Sequence, residues 1–258
     1  MQRYARITRV GFASGMIALG VIGLVLRDFA LVWGPLPRWV PSHAALAFSC
    51  AVVALVAGTA LLFLRTRAAA SLVVFVYVGL WWLLLKVPEV FKAPGTELTW
   101  LDCGMFAILL AGAWTVYADL GGRPFLGGAR GMKLARLLFG VSLIPTGLSH
   151  FVYLNLTAPL VPSYLPFHTG WAYFTGACHL AAGLGVLFNV LPGLAAHLES
   201  AMLAIFTILV WVPRVIAAPG TRGNWTEFWL SWALTAAAAV VAAHARPAET
   251  ATERRGEA

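Results

Sequence analysis

Apolar residues dominate this chain in long runs, broken at intervals by short polar stretches. Eight runs are long enough, at roughly 17–25 residues, to cross the hydrocarbon core of a bilayer as helices. They fall near 8–26, 44–64, 68–87, 100–118, 134–152, 168–190, 195–212 and 226–244. The first follows Arg3, Arg6 and Arg9 as a signal peptide would. It lacks a clear small-residue cleavage site and is followed by "LRDFALVWG", so it reads as a retained helix. The fold class predicted is all-α: a polytopic membrane protein with eight transmembrane helices.

The polar breaks repeat. "VPEVFKAPGTELTW" at 87–100 recurs as "VPRVIAAPGTRGNW" at 212–225, with eight of fourteen positions identical. The same shift of 125 aligns Gly15 with Gly140, and Pro37, Pro41 and His43 with Pro162, Pro166 and His168. Ala57, Gly58, Leu62 and Phe63 meet Ala182, Gly183, Leu187 and Phe188, and Ala111, Val116 and Ala118 meet Ala236, Val241 and Ala243. An ungapped register over four helices predicts two duplicated four-helix units, 1–120 and 133–245. Between them lies a flexible Gly-rich linker, 121–132, and after them a disordered tail, 246–258. Each unit holds an even number of spans, so the axis relating them is expected along the membrane normal.

Within the repeated segment, Pro88 and Pro213 are expected to stop a helix, and Ala-Pro-Gly-Thr to turn the chain. Thr99 and Asn224 then stand three residues before Asp102 and Glu227, the spacing of a capping box. On this reading all six residues are structural. Paired catalytic carboxylates at Asp102 and Glu227 are the weaker alternative.

Composition and charge narrow the class. The chain is 60% hydrophobic and only 11% charged, far from the ~25% charged residues of a soluble domain. Its net charge of +8 sits in short clusters between apolar runs and forms no basic stripe, which excludes nucleic acid as a partner and leaves the lipid bilayer. Arg3, Arg6, Arg9, Arg65, Arg67, Arg123, Arg130, Lys133, Arg136, Arg246, Arg254 and Arg255 fall on one side. Arg27, Arg38, Lys86, Lys92, Arg214 and Arg222 fall on the other. The positive-inside rule puts both termini in the cytoplasm of a multi-pass plasma or inner membrane protein. Cys50, Cys103 and Cys178 have no metal-ligand or CxxC spacing, read as small buried hydrophobes, and no metal site is expected.

Candidate chemistry concentrates in the second half. His150 and His179 lie within apolar runs, where an ionisable residue is a functional candidate. Each is read either as a neutral imidazole hydrogen-bonded to a neighbouring helix or as a proton or quinone contact. Haem ligation would need facing histidines, and the two look staggered. His43 and His168 open their helices as a matched pair, either in a shared structural role or as a pH-sensitive outer site. Glu199, near the start of the seventh run, is expected to reach the interface or to pair with Arg136 or Lys133. Ala181, Ala182, Gly183 and Gly185 are expected to permit close helix packing.

These residues resemble the DoxX-like family of membrane proteins. Gly147, Leu148, His150 and Phe151 match its Gly-Leu-x-His-Phe helix ending, and Pro159, Pro162 and Pro166 its proline-rich outer loop. Gly176, Gly183, Gly185 and Leu187 match its Gly-rich second helix. His179 stands where that family has a glutamate, and in the first half Val25 and Ala54 occupy the places of His150 and His179. The resemblance implies a membrane subunit of a quinone-linked redox system, with quinone as ligand and a partner protein carrying the redox cofactor. A small-molecule transporter and a non-catalytic scaffold or assembly factor remain the alternatives, and no self-sufficient catalytic motif is present. Reporter fusions test the topology: those after Arg67, Gly128 and Ala258 should report cytoplasm, and those near Pro37 and Gly220 the outside. A cytoplasmic signal at Gly220 would overturn the eight-span arrangement.

Overall fold

The computed structural model describes residues 2–30, 43–120 and 126–245. Among these the chain forms eight long helices: α1 (Gln2–Leu26), α2 (His43–Ala60), α3 (Arg67–Lys92), α4 (Glu97–Leu120), α5 (Gly128–Val152), α6 (His168–Leu187), α7 (Pro192–Ala217) and α8 (Arg222–His244). There is no strand among the described residues. Seven helices, all but α6, are long and apolar enough to cross a membrane. The expected eighth, α6, falls outside that set because His168, His179 and four glycines dilute its hydropathy. Pro37 and Pro41, most of the proposed linker's first half (121–125) and the tail from 246 lie outside the described residues. Residues 128–132, expected as linker, instead begin α5, and α1 starts at Gln2. Arginine and lysine are good helix formers, so these helices run past their apolar cores into their basic flanks.

Consecutive helices pack against one another from α1 to α8, and α1 closes the ring against α8. Inside the ring α8 also packs on α4. These two are the most buried of the seven apolar helices, with 72% and 56% of their apolar windows covered, so they form the centre. Their contact is made of small residues: a Cβ added at Gly112 would lie 2.6 Å from that of Ala237. Gly112 and Ala237 are matched positions, 125 residues apart. So are Asp119 and His244, which meet at 3.6 Å one turn or two further on. The two contacts advance together along α4 and α8.

The proline expectation is corrected. Pro88 and Pro213 do not end α3 and α7, which continue to Lys92 and Ala217. Each is preceded by one wide π turn, Trp82–Lys86 and Thr207–Trp211, where Val87 N–H donates to the Trp82 carbonyl and Val212 N–H to that of Thr207. Proline supplies no N–H and its ring crowds the previous turn; the wide turn moves those carbonyls away and lets the helix continue.

The capping expectation is corrected as well. α4 begins at Glu97 and α8 at Arg222, after the N-cap Thr221, so Thr99 and Asn224 are already helical. Thr99 Oγ1 donates to the Thr96 and Ala93 carbonyls, and Asn224 Nδ2 to that of Arg214. Asp102 faces Lys86, and Glu227 sits in the second turn of α8. The turn is held by tryptophan: Trp100 Nε1 donates to the Pro94 carbonyl at 2.9 Å and Trp225 Nε1 to that of Pro219 at 2.8 Å. This clamp starts the helix directly after the Gly-Thr pair, about three residues before the point the capping box marks.

Close backbone approach also joins α5 and α6. A Cβ at Gly147 would come within 2.8 Å of the Gly176 carbonyl, and one at Gly183 within 2.9 Å of that of Gly140. Gly147→Leu should therefore lower the thermal midpoint by several degrees through overpacking. Gly95→Ala, at a position with nothing within 4 Å, should leave it unchanged; differential scanning fluorimetry distinguishes the two.

Candidate functional site

The glycine contact places a polar cluster. With α5 and α6 in backbone contact, His150 is carried against α6, where its Cβ lies 2.7 Å from the space a Gly176 Cβ would fill. His150 Nδ1 lies 3.2 Å from Thr175 Oγ1, whose hydroxyl also lies 3.0 Å from the Ala172 carbonyl. Its centroid is 5.2 Å from that of His179. The expectation of staggered histidines is thus corrected: α5 meets α6 at a depth that lets the two rings touch. Phe206 of α7 packs on both, with centroids 6.2 Å from His150 and 6.4 Å from His179.

Behind the rings sits an acid. His179 Nδ1 and Glu199 Oε1 share a hydrogen bond of 2.8 Å, and both residues are only 1% exposed. Glu199 therefore pairs with His179 on the adjacent helix, where the sequence pointed to Arg136 or Lys133. Its second oxygen, Oε2, is buried with no hydrogen-bond partner among the described residues. With Nδ1 committed to the acid, the tautomer of His179 is set by that bond. The arrangement can hold one proton between a carboxylate and an imidazole, with His150, the half-buried member, packed beside them.

A second polar seam lies on the α8 side of α7. Thr207 Oγ1 is 2.8 Å from Ser231 Oγ and 3.3 Å from Thr235 Oγ1, and Ser200 Oγ donates to the Thr235 carbonyl. The matched positions in the first half are Phe75, Trp82, Phe106 and Leu110, all apolar.

The first half has its own buried charge, which the sequence reading missed. Lys86 Nζ meets Asp102 Oδ2 at 2.6 Å, is 6% exposed, and lies 4.7 Å above the Phe106 ring. The sequence places Lys86 with the outer loop charges. The signal was its place at the end of an uninterrupted apolar run. An apolar cleft of about 550 Å³ lies between α4 and α5, lined in part by Cys103, Gly104, Pro145 and Leu148. Leu148 and His150 are two residues apart on α5, so the cleft and the histidines are on opposite sides of that helix.

The other candidates lie apart. His43 opens α2, edge-on to Phe29 at 6.3 Å, and His168 opens α6. Pro88, Pro213, Thr99, Asp102, Asn224 and Glu227 belong to the α3–α4 and α7–α8 ends. The three cysteines are free and only partly buried, and no group of three or more potential metal ligands occurs among the described residues. In comparisons with protein-family models, curated proteins and solved structures, the chain matches none.

The buried pair generates a stability prediction. His179→Ala strands Glu199 without its donor and should cost about 3–5 kcal/mol. The double variant H179A/E199V installs Ala54 and Val74, the residues of the matched positions, and should recover most of that loss. Thermal unfolding in a single detergent measures both.

Proposed function

We propose that this is a DoxX-like integral membrane protein of two duplicated four-helix units, crossing the inner membrane eight times with both termini cytoplasmic. We propose further that it is the membrane subunit of a quinone-linked redox system. Support for duplication comes from the 125-residue register, which the helix and π-turn bounds of α3 and α7 share, and from the matched contacts between α4 and α8. Support for eight spans comes from the ring, in which α6 packs between α5 and α7 as α2 does between α1 and α3.

The observation that carries the functional reading is the His150–His179–Glu199 cluster. An imidazole pair with a buried carboxylate behind it, in a helix otherwise apolar, is a costly arrangement that a purely structural helix contact does not require. Val25, Ala54 and Val74 at the matched positions are apolar, so the four-helix unit has no intrinsic need of it. The donor set suits a quinone head: His150 at the edge for hydrogen bonding, Phe206 as a flat neighbour, and His179 with Glu199 to supply or take a proton. Reduction of a quinone to a quinol consumes two electrons and two protons. On this reading the electrons come from a partner protein's redox cofactor and the protons pass through these residues.

Mass spectrometry and a visible spectrum of gently purified protein test the reading. Wild type should retain a quinone, and His150→Ala should lose most of it with a midpoint within a few degrees of wild type, because His150 is only partly buried and its bond to Thr175 is long. Quinone retained equally by wild type and variant, or absent from both, overturns the assignment. Substrate-dependent uptake in proteoliposomes would favour a transporter instead, and a stable protein partner without quinone a scaffold.

A further inference from the structure

At the end of the bundle where α1 and α3 begin and α2 and α4 end, the structure holds a cavity of about 630 Å³. Arg6 and Arg9 reach it from α1, Arg67 from α3, and Asp119 from α4; Leu61 and Leu64 form its apolar wall. Arg9 is within electrostatic reach of Arg6, Arg67 and Asp119 together. Among the described residues the one acid lining the cavity is shared, since Asp119 also faces His244 at 3.6 Å. Three guanidinium groups from two helices thus line one cavity, with one carboxylate beside them among the described residues. Guanidinium groups lining one cavity repel one another, and an anion between them relieves that repulsion.

The matched end of the second half shows that folding does not call for this. Gly131, Leu134 and Pro192 stand at the positions of Arg6, Arg9 and Arg67, and His244 at that of Asp119. There the space at Gly131 is taken by the Leu126 backbone and the Ala118 side chain. Orientation alone does not account for the convergence either. Arg65, Arg130 and Lys133 supply positive charge at the same end without lining the cavity.

We propose that this cavity binds a phosphate-bearing anion, held by the forked donors of Arg9 and Arg67 with Arg6 at the rim. Guanidinium groups suit that chemistry because they offer paired N–H donors to two phosphate oxygens. The leucine wall admits the first carbons of an ester-linked group. An anionic lipid headgroup and a soluble phosphate share these features.

The test uses the full-length protein in phosphatidylcholine nanodiscs, with thermal midpoint and native mass spectrometry as readouts. One arm adds phosphatidylglycerol to the discs; the other titrates inorganic phosphate into discs without it. Wild type should gain a saturable upward shift in midpoint in at least one arm. A shift with the lipid alone identifies a headgroup site, and a shift with phosphate in neutral discs a soluble-anion site. R9Q/R67Q should bind at least about tenfold more weakly in that arm, whereas R65Q, outside the cavity, should bind as wild type does. R9K/R67K keeps the charge that sets topology and loses the fork; it too should bind more weakly, and it is the variant to read if R9Q/R67Q fails to fold. No shift in either arm overturns the proposal. So does equal weakening by R65Q and R9Q/R67Q, which would mark general surface charge.

Discussion

Between apolar helices in an apolar solvent, water expulsion contributes little, and association depends on how closely backbones can approach. That constraint governs this fold. Its centre is made where Gly112 of α4 meets Ala237 of α8, and its second seam where Gly140 and Gly147 face Gly176 and Gly183. Around these contacts the residues are alanine for the most part, as in the buried run Ala236, Ala237 and Ala238. Larger side chains such as Phe12, Phe106 and Phe139 fill the spaces that the small ones leave. The histidine cluster depends on the same constraint, because His150 reaches α6 only where Gly176 presents no side chain.

A shared frame with unshared chemistry follows. Turns, π turns and tryptophan clamps occur at matched positions in both halves. Of the residues in the two buried ion pairs, only Asp102 has a charged counterpart, Glu227. The second half buries His179 with Glu199, the first buries Lys86 with Asp102, and each pair faces apolar or differently paired residues at the matched place. In the first half the arginines gather at one end, where the second half has glycine, leucine and proline. Each half therefore carries polar centres that its counterpart lacks.

Much of the frame was legible in the sequence, because membrane thickness and the 125-residue register both leave long-range marks. Local features were misread where two signals competed. Pro88 reads as a terminator, yet a single π turn absorbs it, and no residue type announces such a turn in advance. Thr99 and Asp102 have capping spacing, yet Trp100 fixes the helix start from the other side of the turn. For the site, the individual residues could be named but their meeting could not. The contact of His150 with His179, and of His179 with Glu199, depends on the relative depth of three helices. That depth is set by glycine-to-carbonyl approaches too specific for composition to reveal.

The exchange of partners between halves has a consequence for how the chain can be cut. α1 lies against α8, and α5 against α4, so a chain ending after α4 would leave uncovered the face α1 turns to α8 and the face α4 turns to α5. Two such fragments could cover those faces only by meeting each other, as a symmetric dimer. In that dimer every residue would be present twice, and an acid or arginine suited to one centre would be forced on the other. Joining the halves in one chain lifts that restriction: each position can then differ from its counterpart 125 residues away.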